Sequence, residues 1–333
     1  MRRHSNVIVD DRITGSALGG LGVLAFSMSL PATQAAVSEL NPWLVAFGRA
    51  AGAGLLAWAY LRLVRAPRPS AGQWRRLAIV AAGVVVGFPL FTSLALTTQT
   101  AAHGAVVIAV LPAITAVFAV LRAGERPPMM FWAASGAGLA AVLVFLAVSG
   151  TAAGALEPAD LFLLAAVVLC GLGYAEGGAL ARDLGGARTI CWALILSLPA
   201  TVPITAIAVF AQPPNADTAA WLGFGYLTVV SMFLGFFAWY AGLARGGIAY
   251  VGQIQLAQPI LTLGWSALLL NEPVTLPAIG ASLLVLTCVV VTQRARNGRP
   301  ATAKSPTHQL ANPDAPSFRS PPAYLRITPP DID

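Results

Sequence analysis

Long apolar runs separated by short polar segments make up most of this chain. Each run is close to the ~20 residues that a helix needs to cross the hydrocarbon core of a membrane. None of the runs alternates in polarity as a membrane-spanning barrel strand does, and a helix satisfies its own backbone hydrogen bonds in lipid. We therefore predict an all-α membrane protein with ten transmembrane helices, at residues 15–36, 43–64, 77–98, 102–121, 128–149, 159–181, 188–211, 219–242, 248–270 and 274–293.

The same pattern occurs twice, offset by 147 residues. In one apolar run Pro112 is followed 13 residues later by Glu125, and in a later run Pro259 is followed 13 residues later by Glu272. Such self-similarity indicates an internal repeat. Because each half holds five helices, an odd number, the second half must cross the membrane in the opposite orientation. The sequence therefore predicts two inverted five-helix repeats, an arrangement typical of secondary transporters.

This arrangement divides the chain into five segments. The two repeats occupy residues 15–149 and 159–293, and a short linker at 150–158 joins them. Residues 1–14 form a polar N-terminal segment. A cleaved signal peptide is the alternative for the first run, but it would remove a helix that the repeat requires. The tail at 294–333 is polar, rich in proline and too poor in apolar residues to fold, so we expect it to be disordered.

Composition and charge agree with a membrane location. The chain is 57% hydrophobic and 10% charged, whereas a soluble domain is about 25% charged. The net charge of +7 does not indicate a nucleic-acid partner, because every basic residue except Arg49 lies between the apolar runs or at their ends. With the N-terminus in the cytoplasm, all of these residues fall on the cytoplasmic side, as the positive-inside rule requires. We expect both termini in the cytoplasm, the linker in the periplasm and the protein in the inner (plasma) membrane.

Three stretches of the sequence resemble a known family: FGRA at 47–50, AVLPAITAVFAVLRAGERP at 109–127, and FFAWYAGLARGGIAYVGQIQLAQPILTLGWSALLLNEP at 236–273. Over about residues 15–293 the chain resembles the drug/metabolite transporter superfamily, in its ten-span form built from two EamA domains. The resemblance implies transport, more often export than import, driven by protons or by exchange. It leaves the solute open, because that family moves amino acids, nucleosides, sugars, cationic drugs and other metabolites.

Two charged residues well inside the predicted spans are candidates for the transport chemistry. Arg49 lies about 9 Å from the outer end of its helix. It would neutralise an anionic group of the solute, such as a carboxylate; otherwise it reaches back to the interface or binds helix-end carbonyls. Glu176 lies in the cytoplasmic half of its helix. Burial disfavours a charged carboxyl, so Glu176 would take up a coupling proton, or it is a hydrogen-bonded structural group. We do not expect the two residues to pair.

Polar and aromatic residues in other spans extend this candidate site. Gln255 and Gln258 lie on one face of a predicted helix, whereas Gln253 points away from them. They line the solute pathway, or they form hydrogen bonds between helices. Three aromatic residues are candidates for the cavity walls, with packing as the alternative: Tyr174, Trp239 and Tyr240.

Pro112 and Pro259 each remove a backbone donor from the middle of a predicted helix. We predict that they act as hinges, with a permanent kink as the alternative. Glu125 and Glu272 directly precede the start of the next helix, where a carboxylate caps free backbone N–H groups. Pairs of glycines predict close helix packing: Gly15 and Gly19, Gly48 and Gly52, Gly83 and Gly87.

The predicted function is secondary-active transport by alternating access between the two repeats, with export of small metabolites or amino acids. The partners are then the solute, the lipid bilayer and a coupling proton or exchanged solute, and a homodimer is compatible with the sequence. No metal, cofactor or enzymatic activity is predicted, because the sequence lacks metal spacing, a phosphate loop and a nucleophile elbow. Two other classes stay open: an integral-membrane enzyme acting on lipid-linked substrates, and a receptor or scaffold without flux.

Overall fold

The structure, a computed structural model of the chain, describes residues 2–129 and 158–270 and the positions 131–133, 135–137, 140, 276, 280, 283–284 and 287. All regular secondary structure in these residues is helical. The predicted disordered tail, residues 150–157 of the predicted linker, and most of the fifth and tenth predicted spans lie outside the described residues.

The first half contains α1 (Arg2–Ser27), α2 (Ser29–Val37), α3 (Leu44–Leu63), α4 (Ala71–Ala95), α5 (Ala101–Ile108) and α6 (Leu111–Ala123). The second half contains α7 (Pro158–Leu184), α8 (Gly186–Ala211), α9 (Thr218–Gly246), α10 (Ile248–Gly252), a 3-10 turn at Gln253–Ala257, and α11 (Gln258–Leu270). Within the described residues, six stretches are long and apolar enough to cross a membrane: Ile13–Val37, α3, α4, α7, α8 and α9. They correspond to the first three and the sixth to eighth predicted spans.

The fourth and ninth predicted spans are not the continuous helices that the sequence predicts. A turn at residues 109–110 separates α5 from α6, and the 3-10 turn separates α10 from α11. Pro112 and Pro259 are each the second residue of the helix that follows the break. A proline in the first turn of a helix loses no intrahelical hydrogen bond. Each proline therefore begins a new helix instead of kinking one helix in its middle.

Among the described helices, three contain a wider π turn. These turns lie at Leu44–Gly48 at the start of α3, Ala81–Gly87 in α4 and Leu227–Leu234 in α9. The π turns of α4 and α9 end at Gly87 and Leu234, at the same 147-residue offset that relates Pro112 to Pro259, so the repeat in the sequence is also a repeat of backbone irregularities. π turns shift the backbone hydrogen bonds out of their usual register and often occur at functional sites.

Several glycines make close contacts between the two halves. A Cβ added to Gly242 of α9 would lie 2.7 Å from the backbone nitrogen of Gly19 in α1. A Cβ added to Gly83 of α4 would lie 3.2 Å from the Cα of Gly173 in α7. Backbones this close leave no room for side chains, as the glycine pairs of α1 and α4 predict. The third predicted pair, Gly48 and Gly52 of α3, also contacts α9, at Phe224 and Thr228.

The two ends of the helix bundle differ in charge. One end, called here the arginine-rich end, carries arginines from both halves: Arg62, Arg76, Arg122, Arg182 and Arg245. The opposite end is held by polar contacts without arginine. There the Asn41 amide donates to Gln212 at 3.1 Å, and the Glu39 carboxylate accepts from the backbone N–H of Asp217 at 2.5 Å. Nε2 of His103 also lies 2.7 Å from an Asp160 oxygen.

Replacing Gly242 by alanine should destabilise the protein, because the new methyl group would press on the backbone of α1. Overpacking of this kind typically costs about 1–3 kcal/mol. Thermal unfolding of the purified protein in detergent measures the change as a lower Tm. The matched control is Gly225→Ala on the same helix, where an added Cβ meets nothing within 4 Å. Equal Tm values for the two variants would contradict the proposed glycine contact.

Candidate functional site

A buried cavity lies where helices of both halves meet. Its free volume, the space that admits the centre of a water molecule, is about 20 Å³. The cavity is therefore almost closed in this conformation. Its polar lining consists of Ser29, Arg49, Tyr174, Ser231, Gln255 and Gln258, and its apolar lining includes Phe26, Leu30, Val84, Phe88, Met232 and Phe236.

The polar lining comes mostly from irregular parts of the helices. Ser29 is the first residue of α2, directly after the break that separates it from α1. Arg49 directly follows the π turn of α3, and Ser231 lies within the π turn of α9. Gln255 lies in the 3-10 turn between α10 and α11. The cavity is therefore built where the backbone departs from regular α-helix, in both halves of the chain.

Arg49 is a buried cation that is bound by neutral groups. Its side chain is 98% buried, since only 2% of the residue is exposed, so it does not reach the solvent as a snorkelling arginine would. Nη2 donates to the Ser231 hydroxyl at 3.1 Å, and that hydroxyl lies 2.8 Å from the hydroxyl of Ser29. Nε has no hydrogen-bond partner, and no salt bridge joins Arg49 to an acidic side chain in the described part of the chain.

The two glutamines of the cavity are bonded to each other and to α1. Gln255 donates its amide hydrogen to Gln258 at 3.1 Å, and Gln258 donates to the backbone oxygen of Phe26 at 3.5 Å. Both glutamines therefore line the cavity and also take part in hydrogen bonds within and between helices. The amide oxygen of Gln255 is buried without a hydrogen-bond partner. Gln253 is also buried, but it is not part of this lining.

The three candidate aromatic residues separate into two groups. Tyr174 lines the cavity, with its ring centre 6.1 Å from that of Phe236. Trp239 and Tyr240 are buried behind this wall, outside the lining. The reason is the room left by glycines: Trp239 packs against Gly22, and the Tyr240 hydroxyl donates to the backbone oxygen of Gly173 at 3.1 Å.

Glu176 lies at the arginine-rich end, outside the cavity lining. One carboxylate oxygen accepts from Nε of Arg76 at 2.8 Å, and the other accepts from Nε of Arg122 at 2.6 Å. The carboxylate is buried, while the two arginines are 35% and 45% exposed. Each carboxylate oxygen is thus bound by a guanidinium group from another helix. The environment therefore favours the structural alternative, in which Glu176 joins α4, α6 and α7.

Glu125 caps a different helix from the one that its sequence position predicts. Its two oxygens accept from the backbone N–H groups of Ile248 and Ala249, both at 2.8 Å, and Nη2 of Arg182 donates to it at 2.6 Å. Gly124 ends α6 in the left-handed conformation, with φ of +65°, and turns the carboxylate toward the start of α10. Glu125 therefore links the first half to the second. Glu272, its counterpart in the repeat, lies outside the described residues.

Comparison with known proteins adds independent evidence. The sequence profile of the EamA-like transporter family matches residues 13–147 and again residues 157–293. A protein of Bacillus subtilis (strain 168) described as "Uncharacterized transporter YdeK" is 45% identical over 280 residues, which cover 83% of this chain and 96% of the relative. A crystal structure of another protein superimposes with a TM-score of 0.65, covering 84% of this chain and 97% of that chain. At 20% identity this second likeness shows the fold alone.

Replacing Glu176 by glutamine should destabilise the arginine-rich end, because two guanidinium groups lose the charge that binds them. We expect a loss of about 1–3 kcal/mol in stability, measured as a lower Tm in detergent. Asp183→Asn is the matched control, since Asp183 is an exposed acid near the end of the same helix. If both variants unfold at the wild-type temperature, the arginine contacts of Glu176 contribute nothing to stability.

Proposed function

Since this chain belongs to the EamA-like transporter family, we propose that it moves a small solute through the cavity between its two halves as a secondary-active transporter. Membership makes the chain a multi-pass membrane transporter and removes the alternatives of a lipid-modifying enzyme and a scaffold without flux. The observation that carries the proposal is the cavity itself. Its polar groups come from both halves and stand on irregular helical turns, where secondary transporters bind their solutes.

Alternating access would require the cavity to open toward each end in turn. At the arginine-rich end Glu125 bridges from α6 and α7 to the start of α10, so opening there has to release the two amides that it caps. At the opposite end, the contacts of Glu39 and Asn41 have to separate. The breaks before Pro112 and Pro259 are the proposed hinges, because one helix ends there and neither proline has a backbone N–H to donate.

We place the transporter in the inner membrane with both termini in the cytoplasm. The support is the charge difference between the two ends, since the arginine-rich end is the one that the positive-inside rule keeps in the cytoplasm. The inverted relation of the repeats follows from the same placement. Export of a small metabolite or an amino acid, driven by a proton or by an exchanged solute, is the direction and coupling that the family resemblance implies.

Chemical modification of Cys170, a buried residue of the cavity lining, should block flux through the cavity. Purified protein in liposomes is tested with radiolabelled amino acids, hydroxy acids, nucleosides and sugars. For any solute that crosses, methyl methanethiosulfonate should abolish flux by occupying the cavity, and excess solute should slow this inactivation.

Two variants show whether the loss of flux comes from modification inside the cavity or from modification elsewhere in the protein. Cys170→Ala should keep its flux after treatment, whereas Cys191→Ala, which removes a buried cysteine outside the cavity lining, should be inactivated like the wild type. If mass spectrometry shows that Cys170 is modified and the wild-type protein still has full flux, this pathway is ruled out. Failure of every solute to cross would count against transport itself.

The two ends should face opposite sides of the membrane. Single cysteines are placed at the exposed positions Ala71 and Asn215, in protein whose native cysteines are replaced by alanine. In intact cells a membrane-impermeant maleimide should label position 215 only, and permeabilised cells should show labelling at both positions. Labelling of both positions in intact cells would contradict the proposed topology.

A further inference from the structure

We infer that the solute of this transporter is a small organic monoanion with one carboxylate and a neutral hydrogen-bond donor, as in a hydroxy acid. The inference rests on the proposed function and adds the chemical class of the solute. It is carried by two unpaired groups of the cavity, the Nε donor of Arg49 and the amide oxygen of Gln255, both of which are buried.

The binding groups around Arg49 fit a carboxylate. Nε is one free donor, and the neighbouring hydroxyl pair supplies another. Ser29 and Ser231 share one hydrogen bond between them, and Ser231 also accepts from Arg49. Two hydroxyl groups carry two protons, so one proton is left to be donated. A carboxylate that accepts from Nε and from this hydroxyl satisfies both donors with charge-assisted hydrogen bonds.

The charge of the site limits the solute to one net negative charge. A buried charge without a partner is costly, and no acidic side chain in the described part of the chain pairs with Arg49. The predicted spans at 128–149 and 274–293 contain no acidic residue either. A monoanion makes the loaded cavity neutral. An amino acid leaves it with a net positive charge because of its ammonium group, and a dianion leaves it with a net negative charge.

The other residues of the lining indicate which groups the solute carries besides its carboxylate. The unpaired oxygen of Gln255 requires a donor, and beside a buried arginine a neutral hydroxyl meets that need at lower electrostatic cost than an ammonium group. Phe26, Phe88 and Phe236 form the apolar part of the wall. They favour a body of hydrocarbon or an aromatic ring.

Eight probe compounds test which net charge the site accepts. They share two side chains, called bodies here, an isobutyl group and a benzyl group. The isobutyl body gives 2-hydroxy-4-methylpentanoate, leucine, leucinamide and isobutylmalonate, and the benzyl body gives 3-phenyllactate, phenylalanine, phenylalaninamide and benzylmalonate. We expect a hydroxy acid of at least one body to raise the Tm of the purified protein. In liposomes we expect it to cross at least tenfold faster than the other three probes of that body.

Variants at Arg49 test whether this residue of the cavity is responsible for the preference for a monoanion. Arg49→Gln should abolish both responses to the hydroxy acid, and Arg49→Lys should keep part of them. Arg62→Gln, which removes an exposed arginine of the same helix, should leave both responses unchanged. Without solute, Arg49→Gln should unfold at or above the wild-type temperature, because it removes a buried charge that lacks a partner. A purely structural arginine would give a lower Tm.

The outcomes separate this inference from the proposed function. If neither hydroxy acid stabilises the protein or crosses, or if Arg49→Gln carries it at the wild-type rate, the monoanion inference is overturned. Transport of leucine or leucinamide alone would overturn it and leave the proposed function intact. If none of these probes and none of the solutes in the wider flux panel crosses, both proposals fail together.

Discussion

The fold depends on one constraint, which is that a polar backbone group inside a membrane must find its partner within the protein. Regular helices meet this requirement alone and can face lipid on any side. A break or a π turn does not, so it is tolerated only where other helices or an internal cavity supply partners. In this protein the break after α1, the π turns of α4 and α9 and the 3-10 turn all contribute residues to the same cavity, and Arg49 of its lining directly follows the π turn of α3. The irregular backbone and the candidate binding site are therefore two results of the same rule.

The charged side chains inside the bundle divide into two kinds by their partners. Glu176 and Glu125 are each held by arginine, and Glu125 also receives two backbone amides, so the carboxylates act within the scaffold. Arg49 is held by hydroxyl groups that carry no opposite charge. This difference separates structural charge from charge that is available to a ligand. Burial alone does not make the distinction, because Arg49 and Glu176 are equally buried.

Much of this could be read from the sequence, and the exceptions have physical reasons. Apolar run length located the long helices, and the repeated proline-to-glutamate spacing located the two broken ones. The position of each break was not predicted, because an apolar run does not reveal whether a proline lies inside a helix or begins one. Glu125 was recognised as a cap, but its target lies in the other half and depends on the turn at Gly124. Trp239 and Tyr240 lie outside the cavity lining and pack against glycines of other helices, which the sequence of their own helix does not reveal.

The glycine contacts also determine which parts can move as units. α1 is pressed against α9, and α4 against α7, so each tight pair takes one helix from each half. Glu176 adds α6 to the second pair. Rigid bodies in this protein would therefore cross the boundary of the sequence duplication. The transport motion would then move these mixed helix groups against each other as rigid bodies. The duplicated segments would explain how the sequence arose, but they would not be the moving units.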